Sequence, residues 1–201
     1  MKEEEKTGSP QLVYQQNRDK QRVVITGSQA KLITDMVIFV LDTIHREFDF
    51  VTPLPPRGSS STSKISDAPL IIIQENEQPT ASILEYRHHI GVISEMPIVN
   101  DVIYRFADAT PKGGMLIFSE TDPVATVGKK ERPGTTGIPY KTYPHIMENG
   151  SVALLSSKNE RIPIKLKGEQ NLRNISAARE ILKKIGITSG QFYDAISRFE
   201  A

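Results

Sequence analysis

A strand, a glycine turn and a lysine follow one another over residues 22–31, and no other segment is better suited to chemistry. Backbone N–H groups of such a loop can wrap a phosphate, while a Ser or Thr after the lysine holds Mg²⁺. Four residues keep this pattern: Thr26, Gly27, Ser28 and Lys31. Ala30 stands where the second glycine belongs, and Leu32 stands where the hydroxyl residue belongs. The pattern therefore indicates a phosphate loop that has lost part of its machinery.

The elements that would position this loop follow from the apolar pattern. Continuous apolar runs predict buried strands over residues 22–26, 70–73, 90–94 and 115–118. Helical spacing of apolar residues predicts a helix over residues 31–46, and a shorter one is expected over residues 99–107. Strands that alternate with helices are typical of a mostly parallel sheet with helices on its faces. The expected fold class is α/β, with a sheet of the P-loop type.

The pattern of apolar and turn residues is different in the second half of the sequence. Short β-like segments separated by turn residues predict a small antiparallel flap, formed by residues 136–139, 151–155 and 162–166. Gly168 then introduces a helix with one apolar face, and Gly186 stops it. Either Thr188 or Ser189 is expected to cap a last helix.

Composition excludes several kinds of site and partner. The 201 residues include no cysteine, which rules out disulfides, thiolate nucleophiles and cysteine-bound metals. A net charge of +1 gives no electrostatic reason to expect nucleic acid or a membrane as a partner. Residues 1–10 are polar, are expected to be a disordered leader, and lack the apolar core of a signal peptide. With no apolar run as long as a membrane span, the expected location is cytoplasmic.

Three stretches of the sequence resemble the central, ATP-binding domain of the Mur ligases, which build the peptide of bacterial cell-wall precursors. They are residues 21–41 around the loop, residues 67–118 with the middle strands, and residues 168–178 at a helix start. The sequence is most similar to the branch of murein-tripeptide ligase and UDP-N-acetylmuramate–alanine ligase. The resemblance implies a single Mur-ligase-like central domain over residues 11–201, without the family's UDP-binding and C-terminal domains.

The resemblance also implies roles for single residues at the loop and at the later helix start. A vestigial nucleotide site would contain Thr26, Gly27, Ser28, Lys31, Asn171 and Asn174. The two asparagines would lie beside the adenine, whose paired donor and acceptor edge suits amide side chains. Two structural alternatives stay open: Lys31 as a solvated lysine at a helix start, and Asn171 as a helix-capping residue.

The family's metal-binding motif is altered in this chain. Gln74 and Asn76 replace acidic residues, and amides lack the negative charge that Mg²⁺ prefers. Glu77 matches the final residue of the motif and is the one metal candidate; its alternative is a surface carboxylate. The family's metal-associated Asp-His pair has no secure counterpart here. His88 and His89 are expected to pack or form hydrogen bonds rather than bind metal.

These changes lead us to expect a non-catalytic Mur-ligase-like domain, a pseudoenzyme or binding module with no catalytic residue of its own. ATP and Mg²⁺ would be cofactors only if residual binding survives. One alternative is an ATP-dependent amide ligase module that joins a carboxylate to an amine, with further domains supplied by other chains. The other is a regulatory protein that binds a true Mur ligase or a UDP-muramyl precursor.

Overall fold

The computed structural model describes residues 9–121, 123–148 and 150–200. Residues 1–8 of the predicted leader lie outside this part of the chain. The last two residues of the predicted leader are ordered, contrary to expectation. Pro10 begins the first helix, and the Ser9 hydroxyl accepts a hydrogen bond from the amide of Leu12. No helix among the described residues is both long and apolar enough to cross a membrane.

A mostly parallel sheet forms the centre of the fold. Its strands are β1 Gln21–Thr26, β2 Asp49–Val51, β3 Ser63–Lys64, β4 Leu70–Gln74, β5 Ile90–Ile93, β6 Met115–Ser119 and β7 Thr136–Tyr140. They lie in the order β3-β2-β4-β1-β5-β6-β7, and only β3 is antiparallel to its neighbour. From β1 the chain runs out to β2 and β3 at one edge, returns to place β4 between β2 and β1, and then crosses to β5 on the other side of β1. The carboxyl ends of β1 and β5 therefore border the place where such sheets open a crevice.

Helices cover both faces of the sheet. They are α1 Pro10–Gln16, α2 Ala30–Thr43, α3 Asp101–Asp108, α4 Val124–Gly128, α5 Glu169–Lys184 and α6 Ser189–Ile196, with a 3₁₀ segment Ala81–Tyr86. Helices α2, α5 and α6 pack on one face, and α1, α3, α4 and the 3₁₀ segment pack on the other. Alternate residues of β1 face the two layers, with Val23 on the α2 side and Val24 on the α3 side. Burial on both faces explains why these strands are apolar throughout.

A second sheet of three antiparallel strands confirms the predicted flap. It consists of β8 His145–Glu148, β9 Ser151–Leu155 and β10 Arg161–Ile164, in the order β10-β9-β8. One predicted member was wrong: residues 136–139 lie in β7, which extends the main sheet in parallel with β6. A short β-like segment carries no local sign of its partner, so neighbouring turn residues suggested a hairpin instead.

The helix ends refine the sequence-based boundaries. Helix α2 stops at Thr43, before the expected end near residue 46. Thr188, not Ser189, caps α6 through a capping box, in which its hydroxyl and backbone amide both bond Gln191. Gly186 ends the preceding helix with a φ of +90°, a conformation that glycine adopts without strain.

Gly128 offers a direct test of the packing between α4 and β6. A Cβ at this position would lie 2.1 Å from the ring of Phe118, which is itself buried. We expect Gly128→Ala to lower the free energy of unfolding by about 1–3 kcal/mol, the usual cost of overpacking. Gly190 in α6 faces open space, so Gly190→Ala should be neutral or stabilise by up to about 1 kcal/mol. Urea denaturation measures both, and equal effects would contradict the packing.

Candidate functional site

Gly27 turns the chain from β1 into α2 and is required by the fold itself. Its φ is +105°, and a Cβ there would lie 2.3 Å from Ser94 Oγ and 2.9 Å from Ser94 O. Ser94 follows β5 directly and is fully buried. The close approach of the two strand ends therefore explains the glycine without any need for a phosphate.

The amide groups that would wrap a phosphate are bonded to the chain itself. Three bonds are made: Ser28 N donates to Glu95 O at 2.8 Å, Gln29 N to Ser94 Oγ at 3.0 Å, and Ala30 N to Gly27 O at 3.1 Å. The Ser28 hydroxyl donates to the same Glu95 carbonyl. In this conformation the loop is closed, since each of these donors already has its partner.

Lys31 forms an ion pair instead of being simply solvated. Its Nζ lies 2.6 Å from both carboxylate oxygens of Asp35, one helical turn further on. Asp35 also accepts a hydrogen bond from the Arg57 amide at 3.1 Å, which connects α2 to the loop after β2. Asp35 was missed in the sequence, although a lysine and an aspartate four residues apart on a helix are a recognisable pair.

The two apolar replacements in the loop have become part of the core. Ala30, the first residue of α2, is buried in the apolar cluster on that side of the sheet, and the half-buried Leu32 packs against the same cluster. Burying such groups stabilises a fold by roughly 25 cal/mol for each Å² of apolar surface removed from water. At both positions the chain thus gains packing where a working phosphate loop has a bare backbone or a hydroxyl.

The end of β4 carries amides and exposed carboxylates. Thr26 donates its hydroxyl proton to Asn76 O at 2.9 Å, so that hydroxyl holds the neighbouring strand end. Glu77 is exposed at a cleft of about 380 Å³ that Gly27 and Lys31 also line. Among the residues that the structure describes, no group of three His, Cys, Asp or Glu side chains could hold a metal ion. Glu77 therefore has no companion ligand set there.

The second turn of α5 closes over the loop. Asn174 is fully buried, and its side-chain amide donates to Gln29 Oε1 at 3.0 Å. On the same turn, Arg173 Nε lies 3.0 Å from Glu95 Oε1. Helix α5 therefore grips both the loop and the segment whose carbonyl closes it.

Asn171 takes part in a local contact only. Its side-chain amide donates to Lys167 O at 2.8 Å, which ties the first turn of α5 to the segment before the helix. Gln170 Nε2 lies 3.4 Å from Asn174 Oδ1. The structure thus places five of the six predicted nucleotide-site residues at one edge of the sheet, and it gives Asn171 a role at its own helix start.

Both candidate histidines belong to the framework. His88 is buried, its Nε2 lies 2.9 Å from Thr110 Oγ1, and its ring packs on Phe106 with centroids 4.3 Å apart. His89 Nδ1 accepts a hydrogen bond from the Arg22 amide at 3.1 Å. Burial lowers the pKa of His88 from 6.5 to about 3, because the imidazolium would lose its hydration.

This buried histidine predicts a loss of stability in acid. Below about pH 6.5 the unfolded chain binds a proton on His88 that the folded chain does not bind. The contribution of His88 to the free energy of unfolding should therefore fall by roughly 1.4 kcal/mol for each pH unit, from about pH 6 down toward the pKa of His88 in the folded state. We expect His88→Gln to flatten that slope in urea denaturation at several pH values, while His145→Gln in the flap serves as the control. An unchanged slope in His88→Gln would contradict the assignment.

The closed loop does not fit a triphosphate with Mg²⁺. The amides of Ser28 and Gln29 already have acceptors, and Lys31 already has its carboxylate. A phosphate would have to displace these contacts, and Mg²⁺ would meet the uncharged Gln74 and Asn76. The amides of the loop are thus bonded within the chain, while a cleft of about 380 Å³ remains beside Gly27 and Lys31.

Comparison with known proteins identifies the class of fold. No family model and no curated protein matches the sequence, but solved structures do. UDP-N-acetylmuramate:L-alanyl-γ-D-glutamyl-meso-diaminopimelate ligase from Neisseria meningitides matches with a TM-score of 0.77 and 13% identity, over 96% of this chain and 70% of that one. The MurF ligase from Thermotoga maritima in complex with ADP gives 0.69 and 12%, over 96% and 52%.

A third match lies outside cell-wall synthesis. Mycobacterium tuberculosis folylpolyglutamate synthase complexed with ADP gives a TM-score of 0.67 at 10% identity, over 97% of this chain and 61% of that one. The chain therefore has the fold of the Mur ligases, which confirms the resemblance seen in the sequence at the level of the fold. It spans between about half and 70% of the length of these ligases.

Proposed function

We propose that this chain is a non-catalytic Mur-ligase-like domain, a pseudoenzyme that has exchanged nucleotide binding for internal contacts. The closed loop is the observation that carries the proposal, with the amides of Ser28 and Gln29 bonded across to the end of β5. An ATP-dependent ligase has to grip a triphosphate, because phosphoryl transfer is catalysed mainly by alignment and charge stabilisation. Here the backbone amides that would bind the phosphates form hydrogen bonds within the chain instead.

The charge at the site supports the same proposal. Lys31 is neutralised by Asp35, so the loop offers no unpaired ammonium group to a phosphate. Gln74 and Asn76 offer amides where a divalent cation needs carboxylates. Glu75 and Glu77 line the same cleft, but among the described side chains no third ligand completes a metal-binding group with them. Parts of the family's ATP·Mg²⁺ machinery are therefore replaced, and the retained Ser28 and Lys31 are engaged in contacts within the chain.

The retained role of such a domain would be binding. The residues that resemble the Mur ligases, over 67–118 and 168–178, are the support for a partner from that pathway. We accordingly propose a Mur ligase or a UDP-muramyl precursor as its partner. Calorimetric titration of the chain with a purified Mur ligase and with a UDP-muramyl peptide tests this, and the absence of heat in both titrations would refute it.

Titration with ATP and excess Mg²⁺ tests the loss of the nucleotide site. We expect no saturable heat up to about 1 mM nucleotide, the range in which binding free energies are only about −4 kcal/mol. The Thermotoga maritima MurF ligase, whose structure contains ADP, is the positive control. Lys31→Ala is the matched variant and should behave as the wild type does, since Lys31 already pairs with Asp35. Saturable, Mg²⁺-dependent binding that Lys31→Ala abolishes would favour an ATP-dependent ligase module instead.

A further inference from the structure

A second cleft lies on the opposite side of the sheet from α2. It has a volume of about 480 Å³ and lies between the segment that follows α4, residues 129–135, and the face of β6 and β7. Its floor is formed by the exposed Gly137 and Pro139, beside the buried side chains of Leu116 and Phe118. This volume lies in the range of about 300–1,000 Å³ that is typical of small-molecule sites.

Gly137 keeps the floor of this cleft open. It pairs with Leu116 in the sheet, and its φ lies outside the left-handed region. A Cβ there would make ordinary contacts only, 3.5 Å from Gly128 O and 3.5 Å from Phe118 Cε1. Neither backbone strain nor packing requires a glycine at this position, in contrast to Gly128. The bare backbone leaves room for a flat group above β7.

The wall of the cleft carries more positive than negative charge. Its charged residues are Lys129, Lys130, Glu131 and Arg132. Lys129 is exposed and has no ion-pair partner among the described residues. The local charge therefore favours an anionic occupant.

Arg132 is held rigidly in this wall. Its side chain is only 9% exposed, and its Nε lies 2.9 Å from Asp108 Oδ1. Its Nη1 donates to Val127 O and to Lys130 O, at 3.0 and 2.8 Å. Its Nη2 is buried without a hydrogen-bond partner in the described part of the chain. A guanidinium that is anchored on one side and unsatisfied on the other is suited to a carboxylate or phosphate.

The neighbouring sheet edge is closed to an added strand. The Thr136 amide donates inward to Gly114 O, so in a parallel ladder the next outward positions are Gly137 and Pro139. Proline has no amide proton, and a proline on the outer side of an edge strand opposes pairing with another chain. This edge favours a small molecule over an extended peptide as the occupant.

We propose that this cleft binds a small organic anion with a flat apolar part, of the aromatic carboxylate class. The ring lies over Gly137 and Pro139, and the acid group meets Lys129 and Arg132. The apolar floor supplies burial, and the cations supply charge-assisted hydrogen bonds. The proposal is independent of the nucleotide site, which lies at the carboxyl edge of β1.

NMR titration with 1-naphthoate tests the proposal, with 1-naphthylmethanol as the neutral probe of the same shape. In ¹⁵N-labelled protein we expect saturable shifts that centre on the amides of Gly128, Lys129 and Gly137. The neutral probe should bind about tenfold more weakly, since it lacks the charge-assisted contacts. Shifts spread evenly over the protein, or none up to about 1 mM probe, would overturn the proposal. Shifts that follow protein concentration rather than probe would do the same, and would indicate self-association through this face.

Two variants separate the floor of the cleft from its charge. Gly137→Val should abolish 1-naphthoate binding by filling the floor, whereas Thr136→Val, on the other face of the same strand, should bind as the wild type does. Lys129→Ala should weaken binding about three- to tenfold, while Lys158→Ala in the flap removes the same charge without effect. Thermal unfolding confirms that each variant is folded. Unchanged binding to folded Gly137→Val would overturn the proposal.

Discussion

The amide groups of the loop after β1 need hydrogen-bond partners, and the rest of the site follows from how this chain supplies them. A buried amide without a partner costs about 1–3 kcal/mol. Ser94 Oγ and Glu95 O provide acceptors from the end of the neighbouring strand. That arrangement requires the strand ends to approach so closely that only glycine fits at position 27. The need for these acceptors thus accounts both for the glycine at the turn and for the closed loop.

The fold and the nucleotide chemistry depend on different residues. The sheet and its two helical layers rest on apolar side chains such as Val23 and Val24, which face opposite layers. The crevice at the switch point is a consequence of strand order, and it has to be filled by a ligand, by water or by the chain. Here Asn174 and Arg173 of α5 help to fill it, through contacts with Gln29 and Glu95. The apolar layers that hold the fold are therefore separate from the polar groups that line the crevice.

Periodic features of the sequence predicted most of the fold. The buried strands and amphipathic helices were predicted because each repeats its apolar pattern over several residues. The pairing of residues 136–139 with β6 was not predicted, because it depends on a partner some twenty residues away and leaves no local pattern. Strand β2 has only three residues, too few to show a pattern. The turn from β1 into a helix at Gly27 was predicted, but the acceptors of its amides at positions 94 and 95 follow from the register of β1 against β5.

Amide hydrogen exchange at Ser28, Gln29 and Ala30 tests the closure of the loop most directly. An amide exchanges slowly when it is hydrogen-bonded within the fold, because that bond breaks only through local unfolding. The account predicts that these three amides are protected in the free protein, and that ATP with Mg²⁺ leaves their exchange rates unchanged. Fast exchange in the free protein, followed by protection when ATP and Mg²⁺ are added, would show an open phosphate loop and contradict the account.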